Sequence, residues 1–143
     1  METVKIWQDR SSGKYHLTSR NQHGRSVETD GSEDIGGQSK GMRPMELLLT
    51  ALGSCSTIDI VLILEKQRQK LDDIKIEITG EKEKIDNHSA YRRIHMNFNL
   101  YGEIKPEKAK KAIDLSLDEY CSVAMVLKKT ATITYDFVIF PTS

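Results

Sequence analysis

One long apolar stretch, residues 43–70, constrains the fold of this chain more than any other feature. It reads RPMELLLTALGSCSTIDIVLILEKQRQK. Pro44 suits the first turn of a helix, where a backbone N–H would have no partner, and the basic residues near position 70 suit the last turn. A helix that is apolar nearly all round is either buried or membrane-spanning. Because polar and small residues interrupt the run, it falls short of the ~20 apolar residues that a bilayer requires, and we expect a buried central helix.

Length and charge set the broad class of protein. A chain of 143 residues is most simply a single domain over 1–143. The 21 basic residues equal the 21 acidic ones, which argues against a nucleic-acid or polyanion partner. The opening residues METVKIWQDR lack the apolar run of a signal peptide or a membrane anchor. We therefore expect a cytoplasmic protein that is not attached to a membrane.

The remaining stretches predict short strands and amphipathic helices. Alternation of apolar and polar residues indicates strands, whereas apolar residues three and four apart indicate helices. The expected elements are a three-stranded meander over 3–29, a loop over 30–42, the long helix, a strand at 74–79, a polar connection over 80–90, a strand at 93–100, a helix from Pro106, a break at 118–120, a helix over 122–129 and a strand over 132–140. The order βββ–α–ββ–α–α–β predicts an α+β fold with a mainly antiparallel sheet.

Two cysteines are the residues most able to carry chemistry. In a reducing cytosol such a pair is more often buried, metal-binding or redox-active than part of a disulfide framework. Cys55 lies in the middle of the long helix, where the simplest interpretation is a small buried apolar residue. A reactive thiolate there would need a cation from elsewhere in the fold. Asp59, one helical turn further on, would raise the thiol pKa.

Cys121 has a different local setting, because it immediately precedes a short helix. The dipole and unpaired N–H groups of a helix start stabilise an anion, so Cys121 is locally the better candidate for a thiolate. The alternative is a helix-start residue packed beneath a sheet.

The histidines do not indicate a metal site, since the four of them lie in separate segments without the spacing of metal ligands: His16, His23, His88 and His95.

Three segments together resemble a known family. They are RPMELLLTALGSC, KLDDIKIEITGE and AIDLSLDEYCSVAMVLKK, and they resemble the OsmC/Ohr family (osmotically inducible protein C and organic hydroperoxide resistance proteins), in its Pro-Met-Glu-Leu-Leu subgroup. The resemblance covers residues 41–140. It implies an intertwined homodimer in which two long central helices pack together between antiparallel sheets. That arrangement would explain the small residues Ala51, Gly53 and Ser54.

The resemblance also implies an activity and its residues. Characterised members reduce organic hydroperoxides with two cysteines and use no metal or bound cofactor. By resemblance, Cys55 is the peroxidatic thiol and Cys121 the resolving one, and an external dithiol reduces the disulfide that they form. The alternatives are a non-catalytic protein that binds an apolar small molecule in a cavity between subunits, and a dimer whose cysteines are merely buried.

The family's activating residues correspond less directly. The activating Glu usually follows the Pro, but here Met45 stands in that position and Glu46 comes next. On a straight helix, nine residues at about 100° each place Glu46 and Cys55 on opposite faces. Glu46 would therefore reach Cys55 only through a bent helix or across subunits. The activating Arg of the family lies in the N-terminal half, before the Pro, and the candidates for it here are Arg20, Arg25 and Arg43.

Overall fold

The computed structural model describes residues 1–142, and its elements follow the expected order. The strands are β1 (Val4–Gln8), β2 (Leu17–Asn21), β3 (Ser26–Thr29), β4 (Lys70–Ile85), β5 (His88–Glu103) and β6 (Thr132–Phe140). The helices are α1 (Pro44–Lys66), α2 (Pro106–Leu115) and α3 (Ser122–Leu127), with a 3-10 turn at Glu33–Ile35 and a π-helical turn at Ser116–Tyr120. The predicted α+β class is confirmed.

The chain divides into two compact units, Met1–Leu48 and Leu49–Ser143. The first contains the antiparallel sheet β1–β2–β3. Its loop after β3 is organised by the buried Asp30, whose carboxylate accepts hydrogen bonds from the backbone N–H groups of Gly31, Gln38 and Lys40. These hydrogen bonds, that from Lys40 above all, hold the pKa of Asp30 below its usual value. Whether residues 1–143 form one domain stays a prediction.

The second unit is built on the sheet β4–β5–β6. β4 and β5 form an antiparallel hairpin, whereas β6 runs parallel to β5. The parallel pair follows from the connection between these strands, because α2 and α3 carry the chain back across the sheet before β6 begins. One face of β5 supplies much of the buried core: Ile94, Met96, Phe98 and Leu100.

The hairpin is longer than the sequence indicates. The polar connection expected over 80–90 is wrong, since β4 continues to Ile85 and β5 begins at His88. Asp86, with a φ of 53°, makes the turn. Ion pairs join the extended strands, with Arg92 to Glu83 at 3.2 Å and Arg93 to Glu81 at 3.5 Å. This part of the hairpin is exposed, so its strands carry no apolar alternation to identify them.

Within this single chain, helix α1 is buried along one stripe. The stripe consists of Leu52, Gly53, Ser56, Ile60 and Leu64. Gly53 faces the sheet, since a Cβ there would lie 2.7 Å from Ile78 Cδ1; its small size therefore serves helix–sheet packing within this chain. By its length and mean hydropathy, α1 is also long and apolar enough to cross a membrane. From the sequence, we expected its interrupted apolar run to be too short for that.

Candidate functional site

Cys55, Asp59 and Cys121 form one cluster in the second unit. The two Sγ atoms and a carboxylate oxygen of Asp59 all lie within 4.8 Å of one another. Cys55 and Asp59 are one turn apart on α1, and Cys121 caps the start of α3. Both cysteines carry free thiols, with Cys55 half-buried and Cys121 fully buried. The fold thus brings together two thiols that are 66 residues apart in the chain.

Cys121 does not favour a thiolate, although it occupies a helix start. Its Sγ accepts a hydrogen bond from Ala124 N at 3.4 Å, which favours the anion. Burial acts more strongly and, together with the hydrogen bond to Cys55 and the nearby charge of Asp59, raises the pKa of Cys121 to about 11. The expectation that Cys121 is locally the better thiolate is therefore reversed by desolvation.

Ser116 orients Asp59, and sequence reasoning missed it. Its hydroxyl donates to Asp59 Oδ2 at 3.0 Å, and Ser116 is fully buried. Ser116 opens the π-helical turn, and its carbonyl accepts from Cys121 N at 2.7 Å. Turns of this kind occur often at functional sites. The sequence predicted only a break over 118–120; a polar residue between two apolar ones, Leu115 and Leu117, was the available signal.

The proposed activating residues lie in the first unit. Glu46 Oε1 accepts a hydrogen bond from Arg43 N at 2.8 Å, which joins these two residues at the start of α1. Arg25 follows β2, where its backbone N donates to Asn21 Oδ1 at 3.0 Å. Arg20 lies over the Trp7 ring, 5.2 Å from its centroid.

A cavity of about 560 Å³ opens beside Asp59. Its wall combines apolar side chains with two lysines and a tyrosine: Asp59, Leu62, Ile63, Lys66, Gln67, Lys111, Leu115 and Tyr120. Since Asp59 belongs to both the wall and the cysteine cluster, a small molecule in this cavity would lie next to the cluster.

Comparison with known families identifies the chain. Residues 36–136 match the model of the OsmC family, described as OsmC-like protein. The chain belongs to the OsmC-like family. Both cysteines and Asp59 fall within the matched residues, as do Glu46 and Arg43, whereas Arg25 precedes them.

Individual proteins are also similar to this chain. Protein YhfA of Escherichia coli K12 is 37% identical over 99 residues, which cover 68% of this chain and 73% of YhfA. A protein of Aquifex aeolicus VF5 superposes with a TM-score of 0.85 at 26% identity, covering 100% of this chain and 98% of its own. The organic hydroperoxide resistance protein OsmC of Legionella pneumophila superposes with a TM-score of 0.73 at 11% identity, covering 96% of each chain.

The OsmC-like fold indicates a soluble protein, and it favours the interpretation of α1 as a helix of a soluble domain. Core helices of soluble proteins can meet the same length and hydropathy criterion as membrane spans.

Proposed function

We propose that this protein is a cysteine-based peroxidase that reduces organic hydroperoxides. The observation that carries the proposal is the proximity of the Cys55 and Cys121 sulfurs, which lie within 4.8 Å of each other. To form a disulfide, the two sulfurs must close to a bond length of about 2.05 Å. The two thiols also differ in the way that a peroxidatic and a resolving cysteine should, because Cys55 is half-buried while Cys121 is fully buried.

The reaction has two steps. The Cys55 thiolate attacks the distal oxygen of ROOH, the O–O bond breaks, and the alkoxide leaves as ROH after taking a proton; Cys55 becomes a sulfenic acid. Cys121 then attacks the Cys55 sulfur, the S–OH bond breaks, and water leaves as the disulfide forms. An external dithiol returns the disulfide to two thiols and is itself oxidised.

The second step requires a proton to leave Cys121. Because its pKa is raised to about 11, Cys121 is a neutral thiol at pH 7 and a poor nucleophile until it is deprotonated. Asp59 is the carboxylate within reach of both sulfurs. In this mechanism Asp59 takes the Cys121 proton and passes it to the departing hydroxide, so that water leaves.

Substrate access and activation complete the proposal. The cavity beside Asp59 is walled by apolar residues and lysines, which suits a hydroperoxide with an apolar body. The activating roles of Glu46, Arg43 and Arg25 rest on the family resemblance. We further propose that the protein is a cytoplasmic homodimer that acts in the response to oxidative stress.

Peptide mass spectrometry tests the reaction directly. Reduced protein is treated with about one equivalent of cumene hydroperoxide, and we expect a Cys55–Cys121 disulfide to form within seconds. In Cys121→Ser the Cys55 sulfenic acid should accumulate and react with dimedone, whereas Cys55→Ser should consume no hydroperoxide. Two thiols that stay reduced, or equal activity in Cys55→Ser, would overturn the proposal.

The cavity also favours a second candidate function, the binding of an apolar small molecule without catalysis. Its volume of about 560 Å³ lies within the usual range of ligand sites. Native mass spectrometry of the purified protein would reveal a bound ligand. A retained ligand together with two thiols inert to hydroperoxide would favour this function over the peroxidase.

A further inference from the structure

We propose that Cys55, Cys121 and Asp59 form a binding site for a thiophilic divalent metal ion, Zn²⁺ being the ion that fits them best. The three side chains supply two sulfur ligands and one oxygen ligand from a single cluster. This proposal departs from the expectation, drawn from the resemblance, that the protein uses no metal. It does not rest on the proposed peroxidase function.

The ligand chemistry and the distances both suit zinc. Thiolates and carboxylates are common zinc ligands, and three protein ligands with a fourth position for a solvent molecule make an open tetrahedral site. Atoms bound to one tetrahedral Zn²⁺ lie roughly 3.5 to 4 Å from one another, given bond lengths of about 2.3 Å to sulfur and 2.0 Å to oxygen. The upper bound of 4.8 Å in the cluster leaves only a small side-chain adjustment.

The backbone already holds the ligands in place. Cys55 and Asp59 are four residues apart on α1 and so share one face of the helix. Cys121 comes from a separate element, where its backbone N and its Sγ are both hydrogen-bonded. An ion in the cluster would therefore receive two ligands from α1 and a third from the start of α3.

Ser116 provides the outer hydrogen bond that metal sites commonly contain. It is fully buried and donates to Asp59 Oδ2 at 3.0 Å. Hydrogen bonds of this kind orient ligating carboxylates, and their loss typically weakens metal binding by about 10- to 100-fold. Ser116 is therefore a positioning residue for the site.

The cluster brings two thiols and a carboxylate close to one another. When the thiols ionise, this group of side chains is negatively charged and needs a positive charge close by. A bound divalent ion would supply that charge and stabilise both thiolates. Because the same two sulfurs would bind the ion and react with hydroperoxide, the metal-bound protein should resist oxidation.

Cobalt is the probe for the first test, because Co²⁺ replaces Zn²⁺ and is coloured. Reduced protein is titrated with Co²⁺ without oxygen, and we expect about one equivalent to give sulfur-to-cobalt charge-transfer absorption and the intense visible bands of tetrahedral Co²⁺. Added Zn²⁺ should remove both. Only the weak spectrum of hydrated Co²⁺ would overturn the proposal.

Variants assign the ligands. Cys55→Ser and Cys121→Ser should each lose the charge-transfer band of one sulfur, and Asp59→Asn should weaken Zn²⁺ binding in competition with a chromophoric chelator. Ser116→Ala should weaken it by about tenfold. Glu65→Gln is the matched control, since it makes the same chemical change at an exposed position of α1 and should bind normally. Normal binding by both cysteine variants would overturn the site.

A measurement on the unaltered protein tests the proposal even if the variants fail to fold. Zn²⁺ should protect both thiols from iodoacetamide, and a chelator should restore their alkylation; unchanged alkylation rates would overturn the proposal. The two proposals fail separately. A disulfide after cumene hydroperoxide without a thiolate–Co²⁺ spectrum would overturn the metal site alone, and a thiolate–Co²⁺ spectrum without reaction would overturn the peroxidase alone.

Discussion

The Cys121 side chain is subject to opposite influences from its place in the chain and its place in the fold. As the N-cap of α3 it accepts the Ala124 N–H, which favours an anion. Full burial, with Cys55 and Asp59 close by, outweighs that single hydrogen bond and raises its pKa. At the scale of a residue, desolvation therefore decides that Cys121 is a thiol at neutral pH.

The raised pKa of Cys121 predicts that the protein loses stability in alkaline solution. In the unfolded chain this thiol ionises with the ordinary cysteine pKa of 9.0, while the folded chain holds its proton to about 11. This contribution to stability is complete below pH 9 and disappears as the pH rises through 11. A difference of this size corresponds to about 2 to 3 kcal/mol, measurable as the free energy of unfolding in urea.

Cys121→Ser is the control for this pH dependence, because serine keeps a cap acceptor but does not ionise in this range. We expect the difference in unfolding free energy between the protein and this variant to shrink from pH 8 to pH 11. A difference that stays constant with pH would show that the pKa of Cys121 is not raised in the folded protein.

At the scale of elements, the far end of the β4–β5 hairpin depends on a close backbone approach. Gly102, near the end of β5, has a φ of 146°, and a Cβ there would lie 2.0 Å from Lys70 O at the start of β4. A backbone oxygen cannot move aside as the end of a flexible side chain can. Glycine is therefore required where these two strands meet.

Gly102→Ala should destabilise the protein by at least about 2 kcal/mol, from backbone strain together with the contact. Gly24→Ala is the comparison, since Gly24 also has a positive φ, 80°, but nothing lies within 4 Å of a Cβ there. We expect a cost of about 1 kcal/mol for this change. Chemical denaturation measures the free energy of unfolding of both variants. An equal loss in the two would show that the backbone adjusts to the contact with Lys70 at little energetic cost.

At the scale of the whole molecule, α1 exposes an apolar face. Ile58 is 62% exposed and Leu62 51%, and they lie one turn apart. Such a face on a soluble protein is typical of an interaction surface. We expect it to be buried against a second copy of the chain, which is the homodimer that the family resemblance implies.

Ile58→Lys should convert the dimer to a monomer, because a charge at the centre of an apolar interface would be desolvated without a partner. Light scattering measures the change in mass. Asn87→Lys, at the exposed turn of the β4–β5 hairpin, adds the same charge and should leave the dimer intact. A monomeric unmodified protein would contradict the proposed assembly.

Local patterns in the sequence were enough to determine the order of the elements and the family. Alternation revealed β4, β5 and β6, and Pro44 and Pro106 marked the starts of α1 and α2. These signals are local, since the side-chain period of a strand or helix is written in consecutive residues. For the same reason the exposed end of the hairpin was not predicted. Its strands have no buried face, so apolar and polar residues do not alternate along them.

Only the tertiary structure determined how the candidate site is assembled. It placed Cys121 beside Cys55, brought Ser116 to Asp59, and made β6 parallel to β5. It also reversed the local expectation for the Cys121 thiol. Each of these results depends on contacts between distant parts of the chain and on how much water those contacts exclude, neither of which is encoded in the neighbours of a single residue.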